Sequence, residues 1–112
     1  MLPRILAIAP LATALLGVGL LAGCAPREPL SVSEMYGFCL TEGRGRLCTW
    51  QKSFCQDLRR AASRDYSSRD ECWRACRQVR DQYRLTMQDF GCATEYESGL
   101  DWCERYCTSN YE

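Results

Sequence analysis

The stretch SRDECWRACRQVRDQYRLTM, residues 68–87, carries the clearest structural signal in the chain. Cys72, Cys76, Val79, Tyr83 and Met87 recur at three- and four-residue intervals, the period of one helix face. Ser68 and Glu71 stand three apart at its start, the pattern of a capping box. Gly91 follows the last turn as a stop. Cys72 and Cys76 therefore share one face, one turn apart, with side chains stacked rather than pointing together. Such a pair does not close on itself; it staples its helix to another.

The partner helix is read around DWCERYCT, residues 101–108, where Cys103 and Cys107 repeat the C-x-x-x-C spacing. Ser98-x-x-Asp101 is expected to open this final helix, which runs to about Thr108. In an antiparallel hairpin, facing positions have residue numbers of constant sum. Cys72 with Cys107 and Cys76 with Cys103 share one sum, so the spacing predicts these two bridges as successive rungs. The pattern is similar to the twin C-x-x-x-C hairpins of small mitochondrial intermembrane-space chaperones. That likeness is one of stapling geometry and implies no chaperone activity.

Upstream, a second helix is expected from about Leu47 to Ala62, with Leu47, Phe54, Cys55, Leu58 and Ala62 on one stripe. A further capping box, Ser31-x-x-Glu34, opens a short helix with Val32, Tyr36, Cys39 and Leu40 on one side. EGRGR, residues 42–46, breaks it. No run alternates with period two for long. The expectation is an all-α fold: a small disulfide-stapled helical domain of three to four short helices.

Cys39, Cys48, Cys55 and Cys92 allow three pairings. Cys48–Cys55 is disfavoured on one straight helix, because seven residues rise about 10.5 Å, beyond the roughly 7 Å between Cα atoms that a bridge tolerates. Cys92 follows the third helix and should lie near Cys48. That favours Cys48–Cys92 with Cys39–Cys55 over Cys39–Cys48 with Cys55–Cys92.

The opening of the chain is of a different kind. Ile5 to Gly23 is almost purely apolar and follows Arg4 and the terminal amine, the layout of a secretory signal peptide. Pro10, Gly17 and Gly19 weaken it as a membrane-spanning helix, and no basic stop-transfer cluster follows. Its end, Leu21-Ala22-Gly23-Cys24, resembles the lipobox of bacterial lipoproteins. The resemblance implies diacylglycerol on the Cys24 sulfur, cleavage after Gly23 and N-acylation of the new terminus. No other cofactor is expected. Ala25, in place of Asp, implies sorting to the outer membrane, facing the periplasm, if the source is Gram-negative. The expected organisation is a cleaved signal at 1–23, a short tether at 24–30 and a disulfide-rich helical domain at 31–112.

Cysteine parity agrees. Nine cysteines are present, and without Cys24 the remaining eight form an even set for four bridges in an exported chain.

Composition excludes several chemistries. There is no histidine, so Cys-His and Ser-His nucleophile pairs and the commonest metal ligand are absent. C-x-x-x-C is not the tight knuckle typical of zinc, and no metal site is expected. Thirteen basic groups against fourteen acidic ones after Arg4 is removed give no global footprint for nucleic acid.

The charge is uneven, however. Residues 89–112 carry only Arg105 against six acids, while Arg74, Arg77, Arg80 and Arg84 decorate the third helix and Arg59, Arg60, Arg64 and Arg69 surround the turn before it. Arg74, Arg77, Arg80 and Arg84 are the candidate anion-binding residues, for lipid headgroups or acidic cell-wall groups. The sequence thus points to a non-enzymatic binding or structural module of the cell envelope. It is held by its lipid anchor to a membrane and meets an envelope protein, headgroup or cell-wall partner, not nucleic acid. An inhibitor of an envelope hydrolase of the lysozyme type is the alternative, and a thiol–disulfide protein a more distant one.

Overall fold

The structure, a computed structural model, describes residues 28–41, 48–89 and 91–112. Four helices follow in order: α1 (Val32–Thr41), α2 (Gln51–Ala62), α3 (Arg69–Asp89) and α4 (Ala93–Asn110). Cys24 and Leu47 lie outside the described residues, as do residues 42–46. Among the described residues there is no strand, and no helix is long and apolar enough to cross a membrane.

The two capping boxes differ. At α1 the exchange is reciprocal: Ser31 N–H donates to Glu34 Oε2 at 2.8 Å, and Glu34 N–H donates to Ser31 Oγ at 3.1 Å. At α3, Glu71 N–H donates to Ser68 Oγ, but the Glu71 carboxylate takes the N–H and hydroxyl of Ser67. The second box therefore spans one residue more. The stop after α3 is a Schellman turn. Gly91 sits at φ +75°, where a side chain would strain, and Cys92 N–H reaches back to the Met87 carbonyl at 2.9 Å.

The helices run alternately up and down. Leu30 N–H donates to Ser109 Oγ, and Asn110 Nδ2 donates to the Leu30 carbonyl, so α1 starts where α4 ends. Gln51, buried at the start of α2, donates through Nε2 to the Cys39 and Leu40 carbonyls and satisfies acceptors that the end of α1 leaves open. Arg69 N–H at the start of α3 meets the Glu112 carbonyl. Around the bundle, α1 packs on α2 and α4, α3 packs on the same two, and α2 meets α4 through the middle. Helices α1 and α3 do not touch, so the α1–α4 and α2–α3 surfaces face opposite ways.

Four bridges cross this arrangement: Cys39–Cys55, Cys48–Cys92, Cys72–Cys107 and Cys76–Cys103, with Cα separations of 5.2 to 5.9 Å. These are the pairs that the constant sum and the placement of Cys92 give. The core around them is thin in hydrocarbon. Its largest fully buried side chains other than cysteine are Phe54, Met35, Leu58 and Met87, while seven cysteines are wholly enclosed. A domain of this size gains little margin from apolar burial alone, and cross-links supply the difference.

Two helix starts and one buried face differ from the sequence reading. Helix α2 starts at Gln51, so Cys48 precedes the helix rather than riding on it. Helix α4 starts at Ala93, five residues before Ser98, and Asp101 does not cap but pairs with Arg105 at 2.7 Å. Gly99, between them, lies inside the helix as a point of close approach. A Cβ there would stand 2.7 Å from Phe54 Cε1 and 3.1 Å from Cys39 Sγ. In α1 the buried residues are Met35 and Cys39, and Leu40 faces out.

Candidate functional site

The four arginines singled out on α3 do not form one site. Arg77 lies over the Trp73 ring at 5.5 Å and donates through Nε to Glu104 Oε1 at 3.2 Å. Trp73 is itself fastened to α4, its indole N–H donating to the Glu104 carbonyl, and Arg69 covers it at 4.9 Å. Arg80 pairs with neighbouring Asp81 at 3.0 Å. Arg84 is exposed. Arg74 alone of the four lines a groove, and that groove draws its other cations, Arg60 and Arg64, from α2 and the turn after it.

The groove runs between α2 and α3. One part, of about 220 Å³, is lined by residues that include Arg60, Arg64, Gln78 and Gln82; a second, of about 330 Å³, brings in Tyr66, Glu71 and Arg74. Arg64, Ala75 and Gln78 line both. Its floor is small and apolar, since Ala61, Ala75 and Val79 are buried. Its rim carries guanidinium and carboxamide groups. Arg74, Gln78 and Gln82 recur every four residues along α3, one per turn, which places them on one edge.

Electrostatics distinguish the cations of this rim. Asp57 accepts from Arg60 Nη1 at 3.0 Å and from the Tyr83 hydroxyl at 2.6 Å, so both of its oxygens are engaged. Burial first, and then this bond to Asp57, push Tyr83 up to about 12. Glu71 is held below the ordinary carboxylate range by the hydroxyl and N–H of Ser67, with Arg74 adding to the effect. Among the described residues, no carboxylate lies within ion-pair distance of Arg64 or Arg74. Two forked cations with two carboxamides beside them suit a carboxylate or phosphate on a chain that also offers hydroxyls or amides.

The bridges offer different chemistry. The sulfurs of Cys72, Cys76 and Cys107 lie within 4.8 Å of one another, and Cys76 and Cys107 approach to 3.6 Å. Each is bonded to its disulfide partner, so none is a thiolate able to ligate a metal or attack a substrate. Sequence reasoning passed over Gln78 and Gln82, although their four-residue spacing from Arg74 marks them. It also gave no pairing for Phe38 and Trp102. They meet across α1 and α4 as stacked rings 4.2 Å apart at an interplanar angle of 18°.

No protein-family model, curated protein or solved structure matches this chain. The functional reading therefore rests on its own residues.

Proposed function

We propose that this protein is a lipid-anchored, non-catalytic binding module of the bacterial cell envelope. It is tethered through acylated Cys24 and presents the α2–α3 groove to an anionic cell-wall or envelope partner. The observation that carries the reading is the fate of the cysteines. All eight after Cys24 are consumed in four bridges, which leaves the cysteine of Leu21-Ala22-Gly23-Cys24 without an intramolecular thiol partner. Diacylglycerol on its sulfur and an acyl chain on its amine would hold the domain stably, where a single chain is marginal. In a Gram-negative cell this reading puts the domain on the outer membrane, facing the periplasm.

The groove supports the binding half of the proposal. Arg64 and Arg74 stand on a cross-linked scaffold with no carboxylate within ion-pair distance among the described residues, so an incoming anion has guanidinium groups to meet there.

Metabolic labelling with palmitate tests the anchor. The wild-type chain is expected to take up label and sediment with membranes, and Cys24→Ser to do neither. An unlabelled wild-type chain would overturn the anchor. Co-sedimentation with purified cell wall tests the groove. Arg64→Ala and Arg74→Ala should each weaken retention by about 1.5–3 kcal/mol, the worth of a charge-assisted hydrogen bond. Retention that ignores both substitutions would remove the groove from the account.

A further inference from the structure

The α1–α4 surface, opposite the arginine groove, presents an aromatic stack beside the point where the chain enters the domain. Phe38 is 40% exposed and is stacked on half-buried Trp102. Arg105 covers Trp102 at 4.7 Å and is paired with Asp101. A shallow cavity of about 600 Å³ runs along this surface, bounded by Glu28, Leu30, Glu34, Phe38, Trp102 and Arg105 among others. Leu30 is pinned to the end of α4 by two hydrogen bonds, so the described chain enters the domain on this side.

We infer that this surface rests on the anchoring membrane, with the Phe38–Trp102 stack in the lipid–water interface and the α2–α3 groove turned outward. The inference rests on the anchor reading above. Only three residues lie between Cys24 and Glu28, a reach of about 14 Å over four steps when fully extended. The domain is therefore held close enough for its α1–α4 side to meet headgroups, and α1 leads from the tether to Phe38 in just under two turns. The chemistry fits a bilayer interface better than a strongly anionic partner. Glu28 and Glu34 border the surface, Arg105 is committed to Asp101 and Trp102, and the rings supply the contact. Trp102 is of the amphipathic kind that favours the headgroup level, and Phe38 adds apolar area beside it.

The test uses the full acylated protein, isotope-labelled, in phosphatidylcholine nanodiscs doped with a lipid that carries a spin label near its headgroup. Co-migration with the discs is scored first. In the discs, the Trp102 indole N–H and Phe38 amide signals should lose most of their intensity, while the Gln78 and Gln82 side-chain amides and the Trp73 indole keep theirs. Phe38→Glu, at an exposed position, should restore much of the Trp102 signal and leave disc binding intact. Co-migration with even attenuation everywhere, or with the strongest loss at Gln78 and Gln82, would overturn the seating and leave the anchor standing. Failure to co-migrate would overturn the anchor, and the seating with it.

Discussion

The two halves of the bundle are held by different means. Helices α3 and α4 share two bridges one turn apart, and Trp73 and Arg77 both reach Glu104 between them. Helices α1 and α2 share one bridge, Cys39–Cys55, supplemented by the Gln51 side chain on the last carbonyls of α1 and by the reciprocal Ser31–Glu34 cap. Two rungs fix both register and rotation of a hairpin, whereas one bridge leaves rotation about itself to be settled by packing and caps. The C-terminal half should therefore tolerate loss of any one support, and the N-terminal half should depend on several small ones.

The largest effect tests that redundancy. With one rung of α3–α4 in place, the other closes only a short loop in the unfolded chain, so removing either alone as a Cys→Ala pair should cost about 2–3 kcal/mol. Removing both should exceed the sum of the single losses by about 1 kcal/mol, because the last closure of a long loop goes with them. Denaturant titration of the single and double pairs measures this. Simple additivity would show that the rungs do not act as a unit.

Next comes Gly99, where the two halves meet. Its Cβ position lies 2.7 Å from the fully buried Phe54 ring, so Gly99→Ala should destabilise by about 1–3 kcal/mol despite the better helix propensity of alanine. A thermal melt that rises instead would show that α4 can shift away from Phe54. Smaller again are the caps. Ser31→Ala removes one side of a reciprocal box in the half with fewer supports and should cost about 1 kcal/mol. Ser68→Ala should cost less, since Ser67 still holds Glu71. Equal losses would erase the contrast between the halves.

The smallest effects are those of pH. Tyr83 is raised from 10.0 to about 12 by burial and by its bond to Asp57. A folded value above the unfolded one favours the neutral phenol, so its contribution is complete below pH 10.0 and is lost as pH rises toward about 12. Burial shifts Tyr66, Tyr96 and Tyr106 the same way. At the other end, Glu34 and Glu71 are lowered from 4.5 by donors on Ser31 and Ser67, so their contribution is present above 4.5 and fades as pH falls below it. Helicity followed in denaturant across pH should show both limbs. Tyr83→Phe should blunt the alkaline one only.

Legibility in the sequence followed the same division. The α3–α4 hairpin could be read because disulfide geometry turns a spacing into an arithmetic constraint, and a long helix shows its stripe over five turns. Helix α1 has ten residues, too few for the period to decide between Leu40 and Met35 as the inward residue. Ser98-x-x-Asp101 signalled a helix start because the capping pattern is visible in sequence, whereas the need for closeness between Gly99 and Phe54 appears only once α2 and α4 are packed. The arginines of α3 were visible as a set, but their roles depend on which neighbour each meets. Glu104 and Trp73 engage Arg77, Asp81 engages Arg80, and only Arg74 joins Arg64 across the α2–α3 groove. Such sorting is tertiary, and residue type alone does not carry it.

The separation of Cys24 from the other eight cysteines is the claim on which anchor, orientation and binding role all depend. Mass spectrometry of the protein extracted from its own membranes, intact and after non-reducing digestion, tests it most directly. The account predicts a chain beginning at Cys24 with a diacylglyceryl and an acyl group on that residue. It further predicts no free thiol and the bridges Cys39–Cys55, Cys48–Cys92, Cys72–Cys107 and Cys76–Cys103. A mature chain that retains residues 1–23, or a peptide joining Cys24 to any other cysteine, would contradict it.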